Sequence, residues 1–467
     1  MRESVEREVK LVPGDGFRLP ELGPPLPART FVSTYHDTRD LRLARHGVTL
    51  RHRLEDGARL WQLKFPHGAA RIELEEAGPP AKPPASFLEL LVAHLRGAEL
   101  VRVARLRTRR QGVRTDGADI VEDSVSVYDG PRVTARFREL EVELVDGDEE
   151  TLRGLEKALR EAGAELDVFR PKLYRVLDIA YPSERAPLEP GAPPLDVLAM
   201  AISDQYRVLL AHDPGTRLGN DPEDLHQMRV ATRRARAYLR AARPLLDADW
   251  AGKLRARLGW LGRALGPARD LDVLLERIRS DVTAESDADA VRSLLDGLRR
   301  ERLEARRAAV SALADPRYFR LLDRLESPRP KPATGSKQSL AKLWWDEFRR
   351  TRRTFARLGP RSRDEELHAA RIDVKRARYA AELAAGELGT RGERFIASAK
   401  RLQDVLGEHQ DSYVASARIS EWAEREADRQ AAADSLLARE RQRRAKAREA
   451  WPAAWATLER RARKARP

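Results

Sequence analysis

Two segments of the chain place histidine and cationic side chains at helical spacing. Each begins with a histidine, His226 or His368, and continues with Arg or Lys three, seven and ten residues later. At about 3.6 residues per turn, these positions fall on one face of a helix. With the adjacent arginines included, the first ridge consists of His226, Arg229, Arg233, Arg234 and Arg236, and the second ridge of His368, Arg371, Lys375, Arg376 and Arg378. Like charges stacked on a helix are unfavourable unless an anion neutralises them, so both ridges indicate a polyanion ligand.

A solvated helix face is the ordinary explanation for a single run of this kind. Here the run is repeated, and a second pair of matching segments, 261–270 and 402–411, follows the two copies at nearly the same distance. A whole helical unit is therefore duplicated. We predict an all-α region at 195–460 with two repeats, about 195–326 and 337–460, whose apolar helix faces are buried in bundles.

Residues 1–180 contain short runs that alternate apolar and charged residues, as strands do. The runs fall near 5–11, 49–53, 60–65, 70–75, 101–109, 119–127 and 136–144, with a helix predicted at 150–163 and a last strand near 172–179. Several runs carry both signs of charge on one face, for example Glu6, Glu8 and Lys10. A solvated outer face would explain one such strand, but many of them favour a closed antiparallel β-barrel with a charged lumen. Carboxylates there would bind divalent cations, and Arg and Lys would bind phosphate.

The two parts of the chain contribute unequally to the net charge of +14. Residues 1–180 contain 30 Lys and Arg against 31 Asp and Glu, whereas the remainder contains 58 against 43. The excess predicts an anionic partner for the C-terminal region, which could be nucleic acid, an acidic membrane or polyphosphate. The proline-rich stretch 181–194 is the predicted linker between the parts.

Cysteine is absent from the chain, which excludes disulfides and thiolate metal sites. The N-terminus lacks the apolar core of a signal peptide, and no uncharged apolar run long enough to span a membrane occurs. We therefore expect a soluble, cytoplasmic protein without a membrane partner.

The N-terminal motifs resemble those of the CYTH, or triphosphate tunnel metalloenzyme, family over about the first 180 residues. Glu6-Arg-Glu8-Val-Lys10 matches the family's ExExK signature. In the family's order there follow Arg45-His-Gly47-Val-Thr-Leu-Arg51-His-Arg53, Gln62-Leu-Lys64 and Glu139-Leu-Glu141-Val-Glu143. The resemblance implies a β-barrel tunnel that hydrolyses triphosphates with a bound metal ion.

The resemblance also implies a role for individual residues of the tunnel. The catalytic group would comprise Glu6, Glu8, Lys10, Arg51, Arg53 and Lys64. The triphosphate would be clamped in addition by Arg107, Arg109, Lys172 and Arg175, where strand alternation selects Arg109 over Arg110. Mg²⁺ or Mn²⁺ would be held by Glu6, Glu8, Asp123, Glu139 and Glu141.

The duplicated region resembles the CHAD domain, a histidine-containing helical module that is often fused behind CYTH. That family implies two four-helix bundles related by pseudo-twofold symmetry, with basic helices facing a groove that binds inorganic polyphosphate. Both ridges would then bind polyphosphate, and the protein could associate with polyphosphate granules.

The leading prediction is thus a metal-dependent hydrolase of inorganic triphosphate or polyphosphate, with a polyphosphate-binding helical domain. Within the same fold, thiamine triphosphatase and class IV adenylate cyclase activities are alternatives. A different class of function is a non-catalytic polyphosphate-binding protein. Nucleic-acid binding is less favoured, because the ridges lack interleaved aromatic side chains for base stacking.

Overall fold

The computed structural model describes residues 1–67, 70–166, 171–182, 188–189, 191–282, 285–335, 338–424 and 429–467, apart from the side chains of 67 and 285–290. The chain divides into two compact units, Met1–Ala186 and Pro187–Pro467. The first is built on an antiparallel sheet and the second is helical, so the predicted class is confirmed. None of the described helices is long and apolar enough to cross a membrane.

The described residues of the first unit form a ten-stranded antiparallel sheet and three α-helices. The strands are β1 (Arg2–Glu6), β2 (Glu8–Pro13), β3 (Pro25–Asp37), β4 (Thr49–Glu55), β5 (Ala58–His67), β6 (Ala70–Ala77), β7 (Val101–Arg114), β8 (Ala118–Asp129), β9 (Arg132–Leu144) and β10 (Ala164–Leu166). The helices are α1 (Ala85–Leu95), α2 (Glu149–Glu161) and α3 (Lys172–Leu177). Neighbouring strands follow the order β1-β6-β5-β4-β3-β7-β8-β9-β2-β10.

The segment 2–13 links the two sides of this sheet. It is interrupted at Arg7, so that β1 pairs with β6 while β2 pairs with β9. The strand order nevertheless remains linear, and the sheet is tunnel-like but not closed into a barrel. The prediction of a closed barrel is corrected in this respect, because the strand that would close the ring is divided between two partners.

Alternation along the strands gives the sheet an inner and an outer face. On the outer face, α2 packs over an apolar core that includes Ile120 and Leu140. On the inner face, α3 buries Leu173 and Tyr174 among apolar side chains of β3, β7 and β8. The Tyr174 hydroxyl donates a hydrogen bond of 2.6 Å to the carbonyl of Ala44. The helix α3 therefore fills one end of the tunnel.

The strand predicted near 172–179 is wrong, because Lys172–Leu177 form α3. Its first three residues, Lys172, Leu173 and Tyr174, are all buried. A strand directs consecutive side chains to opposite faces, so it could not bury all three inside the tunnel. The strands β3 and β10 and the helix α1 were not predicted from the sequence.

The second unit consists of two similar sets of helices. The first set is α4 (Pro194–Leu218), α5 (Pro222–Ala241), α6 (Ala248–Asp281) and α7 (Glu285–Leu313), followed by the shorter α8 (Pro316–Glu326). The second set is α9 (Leu340–Phe355), α10 (Asp364–Leu383), α11 (Ala385–Ala423) and α12 (Gln430–Lys464). The helices α5 and α10 pack against each other. The C-terminal ends of α6 and α11 and the N-terminal parts of α7 and α12 share one apolar core.

Candidate functional site

The inner face of the sheet surrounds a cavity of about 200 Å³ in the first unit, which we call the tunnel cavity. Its wall is ionic because inward-facing positions of most strands carry charged side chains. The cations of the wall are Lys10, Arg29, Arg51, Arg53, Lys64, Arg71, Arg110 and Lys172. The carboxylates of the wall are Glu6, Glu8, Glu73, Glu75, Glu141 and Glu143. The tunnel cavity can therefore present both signs of charge to one small ligand.

Most residues predicted for this site are brought together. Those that line the tunnel cavity are Glu6, Glu8, Lys10, Arg51, Arg53, Lys64, Glu141 and Lys172. Asp123 and Glu139 are fully buried beside them and contact Lys172, whose ammonium lies 2.8 Å from the Asp123 carboxylate.

The buried carboxylates are paired with ammonium groups of the protein itself. Lys10 contacts Glu141 and lies 3.2 Å from Glu8, and Lys172 lies 3.0 Å from Glu141. Burial acts to raise the pKa of Glu141, but these two ammonium groups outweigh it and hold the pKa well below its usual range. For Glu139, burial prevails and its pKa is raised. Glu141 thus stays ionised at the centre of the cluster.

A divalent cation fits one of two carboxylate clusters better than the other. Oxygens of Glu8, Glu141 and Glu143 lie within 4.8 Å of one another, and all three residues line the tunnel cavity. Burial raises the pKa of Glu143 despite the nearby Arg110 guanidinium, so an added positive charge would be favourable there. The other cluster, Asp123 with Glu139 and Glu141, already surrounds the Lys172 ammonium. Oxygen ligands of this kind are those that Mg²⁺ and Mn²⁺ prefer.

Two further carboxylates of the wall keep an oxygen available. Oε2 of Glu6 and Oε1 of Glu73 are buried and have no hydrogen-bond partner among the described residues. Their other contacts converge on Lys64, whose ammonium lies 2.6 Å from Glu6 and 3.5 Å from Glu73. A buried carboxylate oxygen without a partner is unfavourable, so these atoms are suited to accept a proton or bind a cation from a ligand.

The cations opposite these carboxylates are held in position by polar and aromatic neighbours. Arg51 donates from Nε to Gln62 at 2.6 Å and from Nη1 to the Tyr35 hydroxyl at 3.2 Å. The Arg53 guanidinium lies 3.8 Å from the centre of the Phe31 ring. These contacts fix the stems of both arginines on the inner side of β4, where guanidinium groups can bind phosphate oxygens in pairs.

Three of the predicted phosphate ligands lie outside the tunnel cavity. Arg107 and Arg109 are exposed on the outer face of β7, because the inward positions of this strand include Leu106, Thr108 and Arg110. The choice of Arg109 over Arg110 is therefore corrected. Arg110 contacts Asp123, Glu141 and Glu143 at 2.5–2.9 Å.

Arg175 also lies away from the cavity wall, over the ring of Phe137 at 5.4 Å. It follows Lys172 by one turn of α3, and Lys172 is the one of the two that lines the tunnel cavity. Arg29, by contrast, lines the tunnel cavity and was not predicted. The sequence could have indicated Arg29, because it alternates along β3 in the same series as Phe31, Ser33 and Tyr35.

In the second unit, the two ridges lie on α5 and α10, the helices that pack against each other. Arg233 of the first ridge donates from Nε to the hydroxyl of Tyr379 on α10 at 3.0 Å. The ridges thus approach one another across the contact between the repeats. Arg234 and Arg378 both lie near Glu382, at 3.6 and 3.4 Å, and add to this junction.

Glycines of the neighbouring helices allow one arginine of each ridge to lie close to the backbone. Arg229 donates to the carbonyl of Gly266 on α6 at 3.0 Å, and it pairs with Asp270 at 2.6 Å. On the other side, a Cβ at Gly407 of α11 would lie only 3.3 Å from Nη2 of Arg371. The matching segments identified in the sequence therefore support matching arginines.

The remaining ridge residues differ in their surroundings. Arg236 is exposed, Arg376 pairs with Asp373 at 2.8 Å, and His226 and His368 are half-buried. Burial and the neighbouring Arg269 lower the pKa of His226. Arg269 on α6 belongs to the same cationic surface and was not predicted.

Lys375 is the cation of the second ridge with the most strongly altered pKa. Burial, together with the charges of Arg371 and Arg233, lowers the pKa of Lys375 to about 7. Arg233 belongs to the first ridge, so charges of both ridges lie near Lys375. An anion bound there would relieve the repulsion among these groups.

Comparisons with known proteins agree with this architecture. The family model of the CYTH domain matches residues 5–173, and that of the CHAD domain matches residues 200–420. Uncharacterised proteins from two strains of Mycobacterium tuberculosis are 31% identical to this chain over 436 residues, which is 85% of this chain and 83% of theirs.

Solved structures resemble each part of the chain. The CHAD domain from the plant Ricinus communis is 26% identical, with a TM-score of 0.49, over 60% of this chain and 96% of that one. A protein from Hippeastrum that is described as having a dominant triphosphatase activity is 18% identical, with a TM-score of 0.27, over 39% of this chain and 100% of that one.

Proposed function

We propose that this chain, which belongs to the family of proteins that join a CYTH domain to a CHAD domain, is a metal-dependent triphosphatase with a polyphosphate-binding unit. The substrate would be inorganic triphosphate or the end of an inorganic polyphosphate chain. The observation that carries this proposal is the tunnel cavity, whose wall combines clustered carboxylates with cations from several strands and from α3.

Hydrolysis of a phosphoanhydride requires neutralisation of phosphate charge and an in-line water rather than a covalent nucleophile. Arg51 and Arg53 would bind non-bridging oxygens of the substrate from one side of the tunnel cavity. Arg110, which is held by three carboxylates, would act from the facing wall. Each guanidinium keeps its charge throughout, so these contacts can strengthen as negative charge moves to the leaving phosphate.

Mg²⁺ or Mn²⁺ held by Glu8, Glu141 and Glu143 would polarise phosphate oxygens and shield their charge from the attacking water. Glu6, whose Oε2 has no hydrogen-bond partner among the described residues, would accept the proton of that water. The oxygen of the water then bonds to the terminal phosphorus as the bridging P–O bond breaks. Lys64 lies 2.6 Å from Oε1 of Glu6 and would hold the carboxylate in position.

The second unit would bind inorganic polyphosphate through the two ridges. The support for this proposal is the meeting of both ridges at the contact of α5 with α10, together with the lowered pKa of Lys375 among like charges. Because the net positive charge of the chain lies beyond residue 180, the affinity should fall steeply with added salt as counterions are released.

Phosphate release provides the test of the catalytic proposal. Wild-type protein would be assayed with tripolyphosphate, long-chain polyphosphate, thiamine triphosphate and ATP, each with Mg²⁺ or Mn²⁺. We expect Glu8→Gln to slow hydrolysis of tripolyphosphate about a hundredfold or more, the scale on which loss of one charge-stabilising group slows an enzyme. Glu165→Gln, an exposed change on β10, is the matched control.

The outcomes separate the candidate functions. Full activity of Glu8→Gln with unchanged circular dichroism would rule out the proposed metal site. Preference for thiamine triphosphate, or formation of cyclic AMP from ATP, would replace inorganic triphosphate as the substrate. Polyphosphate binding without phosphate release from any of the four compounds would favour a non-catalytic binding protein.

A further inference from the structure

The outer face of β7 carries a row of arginines that the tunnel does not use. Arg105, Arg107 and Arg109 alternate with inward-facing residues, and all three are exposed. Among the described residues, none of the three takes part in an ion pair or a side-chain hydrogen bond. Arg136 on β9 is likewise exposed and without such a partner in the part of the chain that the structure describes. We call these four residues the arginine face.

Strand pairing places the members of the arginine face on two sides of a hydroxyl-bearing strand. Arg107 is opposite Ser126, which is opposite Arg136. In the next outward-facing row, Arg109 is opposite Ser124. Strands lie about 4.8 Å apart, so arginines on β7 and β9 stand roughly 10 Å from each other across the serines of β8. Along β7, successive arginines are about 7 Å apart.

The charge of this surface is not balanced by its surroundings. Glu122, which is opposite Gln111 rather than an arginine of β7, accepts a hydrogen bond of 2.6 Å from Arg138. Asp56, between β4 and β5, lines the same surface pocket as Arg105 and Arg107, but among the described residues it forms no ion pair with either. Residues 1–180 as a whole contain almost equal numbers of acidic and basic residues. The arginine face is therefore a local excess of positive charge on a part of the chain whose charges otherwise nearly balance. Neighbouring like charges on a sheet are unfavourable unless an anion lies between them.

We propose that the arginine face binds a segment of an inorganic polyphosphate chain, with phosphate groups lying over Ser124 and Ser126 between the arginines of β7 and β9. This inference rests on the proposed function for the choice of polyanion. Guanidinium and hydroxyl groups both donate to phosphate oxygens, and a trough between two rows suits a linear chain. In the described rows of Arg107 and Arg109 on β3, β7, β8 and β9, no aromatic side chain is present to stack nucleic-acid bases, and Tyr128 opposite Arg105 is a single ring rather than a series.

The arginine face and the ridges are different surfaces of the same chain. A reagent that modifies arginine can measure the protection of each surface separately in one sample. The full chain would be treated with phenylglyoxal, which modifies arginine, and the rate at each position would be read by mass spectrometry. Long-chain inorganic polyphosphate would be added in the presence of a chelator, so that no hydrolysis occurs. Exposed Arg39 and Arg153 serve as internal controls for general loss of reagent.

We expect polyphosphate to slow modification of Arg107, Arg109 and Arg136 severalfold while Arg39 and Arg153 react as before. In the variant Arg107→Ser/Arg109→Ser, the polyphosphate concentration that half-protects Arg136 should rise roughly tenfold for each lost arginine, as expected for charge-assisted hydrogen bonds. The matched variant Arg39→Ser/Arg153→Ser removes the same charge elsewhere in the unit and should leave that concentration unchanged.

Each result bears on one of the two proposals. If the ridge arginines are protected and Arg107, Arg109 and Arg136 react at their free rates, the arginine face is not a polyphosphate site and the proposed function stands. If the arginine face is protected and the ridges are not, the inference stands and the assignment of the ridges fails. Stronger protection of Arg107 and Arg136 by single-stranded oligonucleotide, or by vesicles containing an acidic lipid, would overturn polyphosphate as the occupant.

Discussion

Lys375 provides a direct test of whether the ridges bind polyphosphate. Its pKa is lowered to about 7 by burial and by the charges of Arg371 and Arg233. The protonated side chain is the form that contacts an anion, and bound phosphate would raise the pKa again. Binding of polyphosphate should therefore take up a proton at neutral pH, and the affinity should increase as the pH falls.

The size of the effect follows from the titration of a single group. A side chain with a pKa of about 7 is roughly nine-tenths protonated at pH 6 and one-tenth protonated at pH 8. If the bound form stays protonated over this range, the affinity for polyphosphate should fall about tenfold between pH 6 and pH 8. The pH dependence of folding stability should have the opposite sign to that of the affinity. Without ligand, protonating Lys375 in this cationic surface is unfavourable, so the free energy of unfolding should decrease as the pH falls.

The assay is titration calorimetry of the full chain with long-chain polyphosphate at several pH values and constant ionic strength. Lys375→Arg keeps the charge at every pH and corresponds to Arg233 in the first repeat, so it should remove this component. Lys375→Met should give the affinity of the uncharged form at all pH values. Any pH dependence that remains in both variants comes from groups other than Lys375. An identical pH dependence in wild type and Lys375→Arg would refute the reasoning.

Three further predictions concern the tunnel and the shared site of the ridges. Arg110→Ser should slow hydrolysis of tripolyphosphate about a hundredfold, whereas Arg109→Ser on the outer face should not, and equal effects in phosphate-release assays would contradict the assignment of faces. Lys172→Met leaves buried carboxylates without their cation, so urea unfolding should show a loss of about 3–5 kcal/mol at pH 7 that becomes smaller at pH 4, where carboxylates bind protons. Replacing the three helically spaced cations of either ridge by Ala should weaken the binding of long polyphosphate far more than that of tripolyphosphate, because only a long chain reaches both ridges. Calorimetry that shows half the stoichiometry at unchanged affinity would instead indicate two independent sites.

Much of this architecture could be predicted from periodicity. The charged strands can be identified from the sequence, because a strand that lines an ionic tunnel carries a charged residue at every second position. The duplicated helices are evident because the ridges and their downstream glycine-containing segments recur together. These signals are local, and local signals suffice to identify which strands and helices carry the sites.

The wrong site predictions arise where the alternation of residues along a strand is compatible with either of two faces pointing inward. Arg105, Arg107 and Arg109 form a regular series, and Arg110 interrupts it. Only the pairing of Arg110 with Asp123 across β7 and β8 shows which series faces inward. In the same way, the predicted strand near 172–179 places Lys172 on an extended segment, whereas its position is decided by α3, which packs against the inner face of the sheet.

The pairing inside the tunnel also constrains what it can bind. Lys10, Lys172 and Arg110 are already neutralised by Glu141 and its neighbours, so a bare phosphate anion would have to displace carboxylates and leave them buried without partners. That exchange is unfavourable, because an unpaired buried charge costs more than the new contact returns. A triphosphate that carries a divalent cation brings both signs of charge, and it can satisfy the displaced carboxylates and the cations at the same time. Because the cations of the tunnel wall are already paired with its carboxylates, the tunnel should bind the metal complex of a phosphate chain more tightly than the free anion.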